Sequence, residues 1–189
     1  MILPIVAYGH PVLKKKAEEV EANYPDLKQF IEDMYETLYA SSGVGLASPQ
    51  LNKSIRIFVV DADPLSKEYP EAKDYKKTFI NPEILEYFGD DFEYSEGCLS
   101  LPGLYEDVVR KSKIRIRYQD ENFDTHEEVI EGIPARIIQH EYDHLEGIVY
   151  TEHLSNMKKI LLKGKLRDIS EGKVVVDYRM TYPNKRRKR

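Results

Sequence analysis

The residues best suited to chemistry in this chain form one short run, His140-Glu141-Tyr142-Asp143-His144. On a helix, positions i and i+4 share a face, so two imidazoles can reach one cation with Glu141 beside them to move protons. Alone, this pattern is only moderately specific, because two histidines and two acids also make an ordinary solvated helix face. A catalytic divalent metal needs a third protein ligand and an open position for water. In metzincin proteases that ligand is a later His that follows a Gly. Here the Gly is present as Gly147, but Tyr150 stands at the His position. Glu152 and Glu171 remain available as carboxylate ligands, and no surrounding motif singles either out.

Cys98 is the stronger candidate for the third ligand. A lone cysteine is ordinarily a small buried hydrophobe. Its setting here is Glu96-Gly97-Cys98-Leu99-Ser100-Leu101-Pro102-Gly103, which places it in a constrained loop or strand end. Gly97 lets another backbone approach closely. A thiolate with two imidazoles leaves one tetrahedral position for water. A further segment, Gly43-Val44-Gly45-Leu46-Ala47-Ser48-Pro49-Gln50, has an approachable backbone around Val44. It lacks the spacing and the Lys of a phosphate loop, which argues against nucleotide binding.

These residues need elements to hold them. Residues 25–40 read as a helix, with Leu27, Phe30, Ile31, Met34 and Leu38 on one face and Pro25 in its first turn. Residues 55–60 read as a buried strand, and 64–77 as a polar surface excursion. Residues 78–87 have strand character, broken at Asn81-Pro82 by an edge or bend. Residues 113–119 alternate, with Ile114, Ile116 and Tyr118 on one face, and 125–130 read as the returning strand. Gly132-Ile133-Pro134 opens the helix that carries the two histidines, and Gly147 closes it. Ser155 caps a third helix reaching about Ser170, with Met157, Ile160 and Leu161 expected inward. Residues 173–180 read as a last, Val-rich strand. Helices and strands do not alternate one by one. The expected fold is therefore α+β, with mainly antiparallel sheets packed around a central metal-binding helix and with an N-terminal and a C-terminal helix.

Composition narrows the function classes. The chain has 189 residues, 41% hydrophobic and 32% charged, which suits one globular domain over 1–184. With one cysteine, no disulfide forms within the chain. No apolar run reaches bilayer-spanning length, and the first residues carry neither a secretory nor an Arg-rich transit pattern, so the cytoplasm is the expected location and no membrane partner is expected. The net charge is −5, but the last five residues, 185–189, are all basic. They read as a disordered tail able to touch phosphate backbones. The acidic remainder argues against nucleic-acid binding as the main function.

Three segments together resemble the peptide deformylase family. That family carries Gly-x-Gly-Leu-Ala-Ala-x-Gln, then Glu-Gly-Cys-Leu-Ser, then Gln-His-Glu-x-Asp-His-Leu-x-Gly. This chain has them in that order at 43–50, 96–100 and 139–147, with Ser48 as the one departure. The similarity runs over about 2–170, including Leu3-Pro4-Ile5-Val6 and Pro11-Val12-Leu13. The resemblance implies a hydrolase that removes the formyl group from formyl-Met nascent polypeptides. It implies that Cys98, His140 and His144 bind one divalent metal, Fe(II) in the cell, with Zn(II), Ni(II) or Co(II) able to substitute. By the same resemblance Glu141 is the general base and then the general acid. The Gln50 amide and the Leu99 N–H form the oxyanion hole. Val44, Gly45 and Gly97 bind the peptide backbone in an extended manner. The alternative is a zinc endopeptidase using the same helix. A transient ribosome contact through the basic tail is an accessory expectation.

Overall fold

The computed structural model describes residues 1–184; the basic run at 185–189, expected to be a tail, lies outside the described residues. In chain order the regular elements are β1 (Ile5–Val6), α1 (Leu27–Ala40), β2 (Gly45–Ala47), β3 (Ile57–Asp61), β4 (Lys76–Cys98), β5 (Leu101–Gln119), β6 (Thr125–Glu131), α2 (Gly132–Leu145), α3 (Asn156–Ser170) and β7 (Met180–Thr181). Strands β2 to β6 form one antiparallel sheet in sequence order, while β1 and β7 make a small parallel pair. The α+β class with mainly antiparallel sheet is as expected.

The sheet sits between two helices. In β3, alternate side chains point to opposite faces. Phe58 and Val60 join Phe79, Ile114, Ile116 and Tyr118 against Ile133, Ile137 and Ile138 of α2. Ile57 and Val59 join Leu46 and Ile80 against Phe30, Ile31, Met34 and Leu38 of α1. Burial on both faces explains the unbroken apolar run of this strand. The Phe58 and Phe79 rings stack at 4.7 Å and Phe79 meets Tyr118 at 4.5 Å. Helix α2 touches β2, β3, β5 and β6, which makes it the central helix of the domain.

Several local expectations are corrected. Pro25 lies before α1, whose N-cap is Asp26 in the left-handed region, so the first helical turn begins at Leu27. The strand read at 78–87 runs on to Cys98, and its hairpin partner β5 begins at Leu101. Asn81 takes φ 49° at a register shift between Ile80 and Glu83, and its side chain bonds Val20 and Gln119, so the break is a bulge inside a long strand. The excursion at 64–77 is two short 3-10 turns before β4. In α3 the inward side chains are Leu162, Leu166 and Ile169, whereas Met157, Ile160 and Leu161 are exposed. Apolar residues lie on two faces of that helix, and packing selected the other one. Ser155 does cap it, accepting from Lys158 N at 3.3 Å. The strand read at 173–180 pairs only at Met180 and Thr181. Among the described residues, no helix is long and apolar enough to cross a membrane.

On β6, Glu128 accepts from Lys77 Nζ at 2.6 and 2.7 Å. Partial burial pushes its pKa up, but Lys77 and the Tyr118 hydroxyl outweigh this and hold it below the ordinary value. Its stabilising contribution is therefore complete above the unfolded value of 4.5 and is lost as pH falls through the lower folded value. We predict that Glu128→Gln lowers stability by under ~1 kcal/mol at pH 7, because the pair is partly solvated. Thermal melts of both proteins down to pH 3 check this: the gap should close on acidification, and a gap that widens refutes the assignment.

Candidate metal centre and peptide cleft

The three ligands arrive from two elements. His140 and His144 project from one face of α2, with ring centroids 5.1 Å apart. Cys98 ends β4 where that strand turns into β5. The Cys98 Sγ lies 3.3 Å from His144 Nε2, and one ligand atom from each of the three residues lies within 4.8 Å of the others. Among the described residues this is the one cluster with metal-binding geometry. Neither Glu152 nor Glu171 belongs to it, so the carboxylate ligand of a zinc endopeptidase is not supported.

The donor set fits a cation. His140 Nδ1 donates to Glu96 Oε2 at 2.8 Å, which leaves Nε2 free to ligate. Burial opposes charge on His140, but Cys98 and Glu96 raise its affinity for a proton well above the ordinary value. Burial would likewise raise the Cys98 thiol, yet the neighbouring imidazoles of His144 and His140 bring it down to about 5. A pocket that favours a thiolate and positive charge at the same point accepts a divalent metal in place of protons. One sulfur and two nitrogens suit zinc or ferrous iron better than magnesium or calcium.

Gln50 and Glu141 lie beside this trio. Ala47 N donates to Gln50 Oε1 at 2.9 Å, which turns the amide nitrogen toward Cys98 Sγ at 3.5 Å and Ser100 Oγ at 3.3 Å. The Glu141 carboxylate is buried, and its Oε2 has no hydrogen-bond partner among the described residues. Burial pushes its pKa up to about 7. It lies directly behind β2: a Cβ on Gly45 would stand 2.9 Å from the carboxylate carbon. Gly45 therefore cannot carry a side chain without displacing the Glu141 carboxylate.

The cleft in front of the ligands has a volume of about 460 Å³. Val44 and Gly45 line one side, and Gly97, Cys98 and Leu99 another. Strand β2 is an edge of the five-stranded sheet, with β3 on one side only. An unpaired edge beside the metal ligands is the surface on which an extended peptide can add as a strand. At Gly97 a Cβ would stand 2.7 Å from Tyr105 Cδ1, so a side chain there would push the exposed Tyr105 ring aside.

The structure adds residues that the sequence did not single out. Glu96, inside the quoted Cys98 motif, is buried and also accepts from Arg110 Nε at 2.7 Å and from Arg136 Nη1 at 2.8 Å. Burial would raise its pKa, but His140 and Arg110 hold it well below the carboxylate range. Arg110 continues to Asp143, and Asp143 to His153, at 2.7 Å each. Tyr150 stacks on His140 at 5.8 Å. The signal for this network was Arg136, four residues before His140 and hence on its inward face, where a charge requires an acid partner. Ser48, the departure from the family motif, is fully buried, and its hydroxyl donates to the Ile55 carbonyl, so the extra polar atom is satisfied.

Comparison with known proteins gives the same reading. The profile of the polypeptide deformylase family matches residues 2–160. A peptide deformylase of Christiangramia forsetii is 49% identical, with all of both chains covered. One of Flavobacterium psychrophilum is 50% identical over 99% of this chain and 100% of the relative. The crystal structure of a peptide deformylase from Legionella pneumophila superposes with a TM-score of 0.79 at 34% identity, covering 92% of this chain and 98% of that one. A Plasmodium falciparum structure gives 0.79 at 36% identity, covering 89% and 95%. The chain belongs to the polypeptide deformylase family, metal-dependent hydrolases that remove the formyl group from the N-terminus of new polypeptides.

Proposed function

We propose that in this chain Cys98, His140 and His144 hold the catalytic metal, Fe(II) in the cell, with Glu141 as the proton-transfer group. What supports the assignment is one observation: the ligand atoms converge within 4.8 Å beside a buried carboxylate. When bound, the cation supplies Lewis acidity and lowers the pKa of water from ~15.7 toward ~7. The protein's own residues do the rest. Glu141, with its pKa near 7, takes a proton from water and later delivers it to the departing amine. Gln50 Nε2 and the Leu99 N–H donate to the oxygen as it gains negative charge, and one such donor is worth ~2.7–4 kcal/mol of barrier. Val44, Gly45 and Gly97 hold the peptide backbone extended across the cleft. Glu96 fixes the His140 ring with Nε2 toward the metal position.

The substrates are formyl-Met nascent peptides, and the enzyme works in the cytoplasm. The five basic residues at 185–189 make a transient contact with ribosomal phosphates. Sedimentation with ribosomes is expected to weaken with added salt and to be lost on deleting 185–189. Salt-independent sedimentation removes this accessory role.

The central experiment measures formate release from a formyl-Met peptide by anaerobically purified protein, with metal content determined on the same sample. Stoichiometric iron is expected. Glu141→Ala should keep the metal and lose ~10²–10⁴-fold in turnover; a variant near the wild-type rate eliminates Glu141 as the base. Cys98→Ala should lose metal on dialysis, and unchanged content eliminates the sulfur as a ligand.

A further inference from the structure

The segment after α3 lies beyond the residues matched by the family profile, which end at 160. Yet Val175, Val176, Asp177 and Tyr178 line the cleft that holds Cys98 and His140. After Ser170 the chain turns at Gly172, which packs against the Tyr182 ring, and returns toward β1. It is fastened at three points, the first at its start, where Lys173 N donates to Asp168 O at 2.8 Å. At its far end, Ile5 N donates to Arg179 O and Ala7 N to Thr181 O, both at 2.9 Å. At the cleft, the Tyr178 hydroxyl donates to the Leu99 carbonyl at 2.8 Å, on the residue that follows Cys98.

Between Lys173 and Arg179 the chain has no ladder and bends at Val174, Asp177 and Tyr178. Among the described residues, the backbone of 174–178 makes no backbone–backbone hydrogen bond. Burial alternates along it: Val174, Val176 and Tyr178 are half-buried, and Val175 and Asp177 are exposed. Val175 is 102% exposed, so the folded protein gives it no packing at all. It shares the cleft lining with Tyr105, 68% exposed, and Leu65. Exposed apolar groups that converge on the catalytic cleft gain by burial against a ligand.

We propose that residues 173–181 are a specificity strap, in which Tyr178 fastens the strap to Leu99 and Val175 meets an apolar side chain downstream of formyl-Met. The occupant is the substrate's own chain, because the strap wall is continuous with the metal cleft. This inference rests on the catalytic assignment above, and Tyr178 is a positioning residue in it. Formate release by the wild-type protein tests that assignment, whereas substrate preference tests the strap, so the two fail separately.

The readout is the ratio of kcat/KM for a formyl-Met-Val-Val amide to that for a formyl-Met-Ser-Ser amide. Val175→Asp should lower this ratio at least about fivefold, within the range set by losing one apolar contact. Its melting temperature should hold, since the wild-type side chain touches no core. Tyr178→Phe keeps the ring and removes only the hydroxyl. It should lower the same ratio, with the loss in KM rather than kcat, whereas a merely structural hydroxyl would shift the melting temperature and leave the ratio alone. Ratios within about twofold of wild type in both variants overturn the proposal.

Discussion

The site depends on the buried carboxylate of Glu96. It lies two residues before one metal ligand and hydrogen-bonds another, so it couples the end of β4 to the face of α2. A lone carboxylate at that depth would be protonated or would cost several kcal/mol. Arg110 from β5 and Arg136 from α2 make its ionised form the stable one. Ionised, it fixes the His140 tautomer. The charge network is thus a positioning device, and its stability value as a set of ion pairs is secondary.

That network explains the long β4–β5 hairpin. Glu96 on β4 stands opposite Glu106, and the Arg110 side chain reaches it along the hairpin from its place opposite Phe92, while Arg136 reaches the hairpin backbone at Val108 and Phe92. Two strands of 23 and 19 residues carry these groups from the outer sheet to the metal ligands. Bulges let one ladder bend along the way, and the register shift between Gly97 and Cys98 sits at the metal-binding sulfur itself. On the other side, α2 presses on β2, which aligns the Gly45 backbone with Glu141. The positions of His140, Glu141, His144 and the β2 edge are therefore set by one helix.

Local chemistry was legible in the sequence, and long-range partnership was not. His140 and His144 announce a shared face by their spacing, because helix geometry alone brings them together. Cys98 needed its Gly and Pro neighbours, and the family motif, to stand out from an ordinary buried thiol. Glu96 and Arg110 are 14 residues apart, and nothing local pairs them; only the fold does. In α3, Met157, Ile160 and Leu161 have as good a helical period as Leu162, Leu166 and Ile169, and period cannot decide between two apolar faces. At 173–180 the Val-rich alternation matches the alternating burial of Val174 to Tyr178, but a strand also needs a neighbour, and among the described residues this segment finds one only at Met180 and Thr181.

This last mismatch separates two kinds of apolar residue. Val59 and Val175 have equal claims to a strand by type, yet one is fully buried and the other fully exposed. An apolar side chain left in water gives the folded protein nothing, and single ones are common on surfaces. Val175 differs from such strays by its place. It belongs to a segment whose ends are hydrogen-bonded, whose middle is held to Leu99 through Tyr178, and whose exposed face opens on the catalytic cleft. Chain that is fastened on both sides of an unsatisfied surface has already met the entropy cost of ordering it. A peptide that binds there gains the burial without that cost, which is the physical condition for selectivity beyond the formyl-Met itself.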